Sequence, residues 1–284
     1  MTRPFKFIHL TDTHIIGAPH RLYGLDPQLR LAQAVASINT EHGDARLVVI
    51  SGDLTHWGDQ DAYDAFAQGI RALQMPVVLM MGNHDATGAF VHTFPNAAKD
   101  ENGFVQSSLE TDHGLMLFLD TAMVGTHAGG YCRQRQDWLA AQLDNCTGPV
   151  LLFMHHPPFA VGIAGMDAIM MLDAAAFWGI LAPHQHRIRH LFFGHLHRTL
   201  FGNWHGISFS CMPGLNHQVA LDLNTGPEVV HGNLQPPAYG VVLVSADQLL
   251  VHQHAFLDTS PSFTLGPPKG KHARDYALGM VHGS

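Results

Sequence analysis

Five times along this chain a short apolar run stops at a cluster of Asp, Asn or His. FKFIHL (5–10) runs into Thr11-Asp12-Thr13-His14, LVVI (47–50) into Ser51-Gly52-Asp53-Leu54, and VVLMM (77–81) into Gly82-Asn83-His84-Asp85. VLLFM (150–154) runs into His155-His156-Pro157-Pro158, and LFF (191–193) into Gly194-His195-Leu196-His197. Runs that are apolar throughout, without alternation, fit strands buried on both faces, and such strands need helices to cover their sheet. Helical spacing lies between the first three runs: Leu29, Leu31, Ala34, Val35 and Ile38 within 26–40, then Tyr63, Phe66, Ala67 and Ile70 within 59–73. The rhythm of strand, polar loop and helix predicts parallel strands, whose carboxyl ends meet at one crevice.

The rest of the chain reads less sharply. Residues 85–114, rich in Gly, Asn and His, predict a loop excursion, followed by a strand at 115–120 and a short helix at 133–143 with Trp138 and Leu139 inward. The Gly- and Met-rich stretch 158–172 reads as a mobile flap, and about 173–182 as a helix. From 205 onward short strands dominate, in GISFS, QVALDL, YGVVLV and LLVHQHAF, with turns at 224–227 and 245–247. The tail 258–284 reads as a loosely packed or exchanged terminus. No internal repeat or hinge divides the chain.

Composition narrows the class. With 284 residues, 46% hydrophobic and 13% charged, the chain is globular and can bury a full core. Fifteen Lys+Arg against 23 Asp+Glu give a formal charge of -8 with no basic block, which argues against long nucleic acid as a partner. A small phosphorylated partner stays open if metals supply local positive charge. No stretch reaches the length of a membrane span, and the seven or so mostly apolar residues at the start lack the form of a signal peptide, so the expectation is a soluble, cytoplasmic protein. The odd, widely spaced cysteines Cys132, Cys146 and Cys211 argue against a disulfide framework and against a cysteine zinc site.

Each polar cluster has an ordinary reading and a chemical one. Asp12-x-His14 alone reads as a turn, yet its two ligand atoms at a strand end can converge on one metal. Asp53 can bridge two cations while Gly52 lets the backbone approach closely. Asn83 or Asp85 alone reads as a cap or Asx turn, and any single histidine as a satisfied core residue. The prolines after His155-His156 make that exit rigid, and the alternation in His195-x-His197 directs both imidazoles to one site if the chain there is extended. Five such clusters at presumed strand ends do not follow from packing alone.

In this order, D-x-H, G-D-x-x, G-N-H-D, H followed by proline, and G-H-x-H resemble the calcineurin-like metallophosphoesterases over about residues 1–220. HHPP at 155–158, and Ser210-Cys211-Met212-Pro213 with His217-Gln218, are similar to the branch of class III cyclic nucleotide phosphodiesterases and related glycerophosphodiesterases. The resemblance implies an α/β fold, a four-layer sandwich of two mixed β-sheets flanked by helices. It implies a catalytic domain at 1–220, with 221–284 as strands completing the fold plus a tail at a dimer contact. One metal would take Asp12, His14, Asp53 and His197, and the other Asp53, Asn83, His155 and His195, with Asp53 bridging. His155 would be the ligand as the first residue after its strand, with His156 outside it; the residues alone do not separate the two. His84 would contact the phosphate and stabilise charge or assist the leaving oxygen.

The implied cofactors are two divalent or mixed-valence ions, Fe and Mn first, Zn or Co otherwise. They would polarise the phosphoryl oxygens and acidify a water for in-line attack on phosphorus. The first choice of substrate is a 3',5'-cyclic nucleotide such as cAMP. A glycerophosphodiester releasing glycerol 3-phosphate, or a broad range of phosphodiesters, stands second. A phosphomonoesterase would lack an Arg/Lys clamp in the motifs, and a non-enzymatic metal-bound scaffold would have no use for His84. Tyr23, Phe159 and Met166 either stack on a base or pack locally. A homodimer or higher oligomer is implied. One departure is expected to alter a contact behind the metals: His56 follows Thr55 where many relatives have an acid.

Overall fold

A computed structural model describes residues 4–279. The first half of the chain forms β1 (Phe5–Leu10), α1 (Pro27–Glu41), β2 (Val48–Ser51), α2 (Gln60–Ile70), β3 (Val77–Met80), α3 (Thr87–Thr93), β4 (Ser107–Thr111), β5 (Gly114–Phe118) and α4 (Arg133–Asn145). The second half forms β6 (Val150–Phe153), α5 (Ala164–Asp167), α6 (Ala174–Leu181), β7 (Ile188–Phe193), β8 (Leu200–Trp204), β9 (Ile207–Cys211), β10 (Gln218–Val219), β11 (Gly232–Asn233), β12 (Tyr239–Val244), β13 (Leu249–His254) and α7 (Ala273–Leu278).

Two mixed sheets result. The first has the order β13-β12-β1-β2-β3, with β1, β2 and β3 parallel and β12 and β13 antiparallel. The second has the order β4-β5-β6-β7-β9-β8, with antiparallel strands at both edges of a parallel centre. Residues beyond 220 thus supply two strands to the first sheet.

Alternate residues of each strand go to different cores. Phe7, Val49 and Met80 meet Phe118, Phe153 and Phe192 between the sheets, where the Phe153 and Phe192 rings stack at 4.6 Å. Ile8, Leu10 and Ile50 face Leu31, Val35, Ile38, Tyr63 and Phe66 of α1 and α2. Leu117, Leu152 and Leu191 face Leu139, Leu143, Phe177 and Leu181 of α4 and α6. The layers run helix, sheet, sheet, helix, so the central strands bury both faces, and each large apolar side chain so buried contributes about 1.5–3 kcal/mol. This double burial is why the strands read as unbroken apolar runs.

α1 begins where Asp26 accepts the Leu29 N–H at 3.0 Å and Pro27 supplies a preset φ in the first turn. Its buried stripe is Pro27, Leu31, Ala34, Val35 and Ile38; Leu29, expected inward, is exposed. On α2, Ala62, Tyr63 and Phe66 are the buried residues, and Ala67 and Ile70 lie only at the margin of that face.

Three stretches differ from expectation. Residues 85–114 contain α3 and β4; β4 is an edge strand of sequence SSLET, too polar to announce itself. Residues 158–172 are not a free flap, because Ile163, Met166 and Met171 are buried in the core of the second sheet. Of QVALDL only Gln218–Val219 is strand, and Leu221 and Leu223 are exposed. The tail 258–284 carries the short α7, none of whose residues is buried, and residues 280–284 lie outside the described residues. Among the described residues no helix is long and apolar enough to cross a membrane.

Candidate metal centre

All five polar clusters follow parallel strands, β1, β2 and β3 of one sheet and β6 and β7 of the other. Their turns share a costly backbone. Asp12, His14, Asp53, His195 and His197 have φ of 54°, 45°, 51°, 67° and 45°, in the left-handed region that costs a non-glycine residue about 1 kcal/mol or more. Neighbouring turns hold them there: the Asp12 N–H donates to Gly52 O at 3.1 Å, His14 N–H to Asp53 O at 2.9 Å, and Gly194 N–H to His155 O at 3.2 Å. Gly82 is required by contact, since a Cβ there would overlap the Asp53 carboxylate and backbone N.

Two nests of ligand atoms share Asp53. In the first, His14 Nε2 lies 2.9 Å from His197 Nε2 and 3.5 Å from Asp53 Oδ2, and His197 Nε2 lies 3.3 Å from Asp12 Oδ1. In the second, His155 Nε2 lies 3.3 Å from Asp53 Oδ2 and 3.2 Å from Asn83 Oδ1, which is 2.9 Å from His195 Nδ1. The far oxygen of each carboxylate is tied down. Asp53 Oδ1 accepts the His84 N–H at 2.9 Å, and Asp12 Oδ2 accepts the Thr11 hydroxyl at 2.8 Å and the His195 N–H at 3.1 Å. The sequence-derived residues Asp12, His14, Asp53, Asn83, His155, His195 and His197 therefore come together. His156 also comes close, with a ring nitrogen within 4.8 Å of one on His155 and one on His195, but both its nitrogens are engaged, Nδ1 with the Thr121 hydroxyl and Nε2 with His127 O.

The donor set fits cations on hydrogen-bond grounds. Backbone carbonyls only accept, so His155 Nδ1 donates to Ser51 O and His197 Nδ1 to His217 O. Each ring then turns the lone pair of Nε2 toward acidic or amide oxygens, an arrangement of acceptors facing acceptors that needs a proton or a cation between them. Burial opposes a proton on His155, but Asp53 and Asp12 push it up to about 9. Burial would raise Asp53, yet the imidazoles of His155 and His14 hold it well below the usual carboxylate range. His195 and His14 are held low by burial and by neighbouring imidazoles, so they stay neutral and able to ligate. His195 Nε2 is buried without a hydrogen-bond partner.

Around the nests stand residues that the motifs did not flag as site residues. Asn83 Nδ2 meets His127 Nδ1 at 2.8 Å, which turns Asn83 Oδ1 toward His155 and His195. His56 Nδ1 meets His14 Nδ1 at 2.9 Å. The His217 ring packs 4.6 Å from His197 and 4.6 Å from Tyr23. Burial and adjacent imidazoles lower His56 to about 4 and His217 to about 3, so both are neutral near pH 7. Nothing local announces His127, 44 residues from Asn83; its ring meets Asn83 while its carbonyl accepts from His156 Nε2, contacts that appear only in three dimensions. His84 donates Nδ1–H to His56 O at 2.7 Å, because a carbonyl only accepts. Tyr23 and His217 open onto a cavity of about 500 Å³ with Val219, Val230, Asn233 and Leu234 on its wall. Phe159 and Met166, the other aromatic or Met candidates, instead pack in the core, Phe159 against Phe193, Trp204 and Phe209.

Residues 5–199 match the model of the calcineurin-like phosphoesterase family. The chain is 42% identical over 264 residues to a probable cyclic nucleotide phosphodiesterase of Rhodopseudomonas palustris, covering 92% of this chain and 96% of that one. It is 27% identical over 254 residues to the glycerophosphodiester phosphodiesterase GpdQ of Enterobacter lignolyticus, covering 87% and 90%. In fold it is similar to a dimetal phosphatase from Danio rerio, with a TM-score of 0.66 at 15% identity over 90% of this chain and 98% of that one.

Proposed function

The chain belongs to the calcineurin-like phosphoesterase family, and from that premise we propose that it is a metal-dependent phosphodiesterase acting on 3',5'-cyclic nucleotides such as cAMP. The observation that carries the reading is the position of Asp53 Oδ2 between His14 Nε2 at 3.5 Å and His155 Nε2 at 3.3 Å, one oxygen shared by two nests. Asp12, His14, Asp53 and His197 would hold one ion, and Asp53, Asn83, His155 and His195 the other. When bound, such ions supply Lewis acidity toward phosphoryl oxygens and make water a stronger nucleophile at neutral pH. Nitrogen and oxygen donors without a thiolate favour iron and manganese, with zinc or cobalt as alternatives.

The side chains do the rest. His84 uses Nδ1–H on the His56 carbonyl, so any further proton resides on Nε2, where it is available to a phosphoryl or leaving oxygen. Tyr23, itself 61% exposed, and His217 form the aromatic start of a cavity whose wall continues through Val219, Val230 and Leu234. Such a wall suits a flat base, whereas a glycerol group has little apolar surface to bury there. The 42% identity to a cyclic nucleotide phosphodiesterase supports the same substrate, and the 27% identity to GpdQ keeps a glycerophosphodiester as the second reading.

The test is a steady-state comparison of metal-reconstituted protein on cAMP, glycerophosphoethanolamine and 5'-AMP, with products identified. We expect cAMP to be preferred, with 5'-AMP accumulating as product. Tyr23→Ala should lower kcat/KM for cAMP about 10-fold, within the range set by loss of one base-aromatic stack, and leave the glycerol diester much less affected. Equal losses on both diesters would remove Tyr23 from base recognition; preference for the glycerol diester would exchange the two readings, and no turnover of any ester would leave only a metal-bound scaffold.

A homodimer in the cytoplasm completes the proposal. Leu221, Leu223 and Val229 are exposed on the segment between β10 and β12, outside the wall of the Tyr23 cavity, an apolar surface suited to a second copy. Free Cys132, Cys146 and Cys211 suit a reducing compartment. Light scattering should read twice the chain mass, falling toward a monomer in Leu221→Glu/Leu223→Glu; a wild-type monomer at micromolar concentration rejects the dimer.

A further inference from the structure

We propose that His56 is a positioning residue that aims two rings at once, His14 toward the metals through its side chain and His84 toward the phosphoester through its ring face and its carbonyl. The inference rests on the two-metal phosphodiesterase reading above.

A histidine that ligates through one nitrogen is oriented by whatever holds the other. For His155 and His197 that partner is a backbone carbonyl, Ser51 O and His217 O. His14 differs: its Nε2 faces Asp53 and His197, and its Nδ1 meets the Nδ1 of His56 at 2.9 Å. With Nε2 given to a cation, His14 carries its proton on Nδ1 and donates it, so His56 accepts at Nδ1 and keeps its own proton on Nε2. A carboxylate at this place would aim the ring equally well and add a negative charge beside the metals; a neutral imidazole aims it without that charge.

His56 is itself fixed. Its N–H donates to Ile15 O at 3.0 Å, its ring stacks on His84 at 4.8 Å and 16°, and the Trp57 ring meets it at 4.6 Å. Its carbonyl accepts His84 Nδ1–H at 2.7 Å, so one residue sets both the tautomer and the plane of His84. The rings of His14, His56 and His84 also lie close enough to hold an ion of their own. That use conflicts with the first nest, because His14 would then need a metal on both nitrogens.

Two substitutions separate the contacts. His56→Phe keeps a ring to stack on His84 and removes the acceptor for His14; His56→Asn puts an amide oxygen where Nδ1 was and removes the stack. The probe is Mn2+ alone, titrated calorimetrically into chelator-stripped full-length protein, followed by kcat on cAMP at saturating Mn2+. For His56→Phe we expect the dissociation constant of one of two Mn2+ equivalents to rise about 10- to 100-fold, the usual cost of losing the partner that orients a ligand, with a much smaller change in kcat at saturating Mn2+. For His56→Asn we expect Mn2+ affinity close to wild type and kcat at saturating Mn2+ lowered about 10-fold or more, as a misplaced catalytic ring requires. His56→Gln, with its acceptor one bond further out, should recover part of the Mn2+ affinity, and His56→Leu replaces the Phe variant if that one does not fold. Wild-type Mn2+ affinity in the Phe or Leu variant overturns the role on His14, and loss of affinity and kcat together in every variant reduces His56 to packing. A third Mn2+ equivalent that all variants lose assigns the rings to a separate ion and overturns the proposal. Wild-type protein that binds no Mn2+, Fe2+, Zn2+ or Co2+ overturns the two-metal reading itself.

Discussion

Asp53→Ala is expected to lower kcat/KM on any phosphodiester by more than the about 10³-fold that loss of one preorganised electrostatic group costs, and to leave the protein short of both metal equivalents. The reason is position. Asp53 Oδ2 is the atom within 3.5 Å of His14 Nε2 and 3.3 Å of His155 Nε2, so its removal strips one donor from each nest. It also removes one of the two carboxylates, Asp12 and Asp53, in the group of ligand atoms around His14 and His197, leaving two cations less neutralised. Asp53 Oδ1 further accepts the His84 N–H, so the turn that carries Asn83 and His84 loses an anchor. Asn83→Ala, which touches the second nest alone, should deplete one equivalent and cost less. Metal content by mass spectrometry, read beside turnover and with Asp53→Asn as a variant of the same shape, checks the ranking. Equal metal content in Asp53→Ala and wild type would reject the shared-ligand role.

Much of this site was legible in the chain because the strands that carry it are buried on both faces. Their unbroken apolar runs mark where each strand stops, and a ligand candidate follows two or three residues later, Asn83 after Met80, His155 after Phe153 and His195 after Phe193. Edge strands gave no such signal: β4 reads SSLET and β8 reads LFGNW, both largely exposed. The stretch 158–172 looked loose from its glycines, yet Met166 and Met171 anchor it in a core that lies far off in sequence. Leu29 lies two residues before Leu31, which places it on the face of α1 opposite the buried stripe of Leu31, Val35 and Ile38. The left-handed backbone at Asp12, His14, Asp53, His195 and His197 has no sequence signature, since the residues that tolerate it there do so only because the neighbouring turns hold them.

Contacts behind the ligands were the least legible part. His127 orients Asn83 from 44 residues away, and His56 reaches His14 across 42. Sequence spacing along one strand or helix cannot encode such pairs; they depend on which loops the two sheets bring to one end. The resemblance flagged His56 as a departure and the structure supplies its contact, an imidazole against an imidazole. The carbonyl partners of His155 and His197 are invisible for a different reason, since every residue carries a carbonyl and only the fold decides which one is aimed.

His84→Ala is expected to lower kcat on cAMP by about 10²- to 10⁴-fold, the range for a group that transfers a proton at the reacting centre, while metal content stays at wild type. His84 is not among the atoms that form the two nests; its backbone N–H, which holds Asp53, survives the substitution, whereas the ring fixed through Nδ1 on His56 O is removed. The leaving group then tells which task Nε2 performs. Opening a cyclic nucleotide expels a sugar alkoxide, which needs a proton, whereas bis(p-nitrophenyl) phosphate expels a phenolate stable without one. If Nε2 protonates the leaving oxygen, the loss on cAMP should exceed the loss on bis(p-nitrophenyl) phosphate by an order of magnitude or so within the about 10²- to 10⁴-fold range. Equal losses on the two esters would mean that Nε2 stabilises charge on the phosphoryl oxygens instead, as a fixed donor does in any transition state of the same shape. Unchanged kcat and KM on both would remove His84 from the reaction and leave it as an anchor for Asp53 alone.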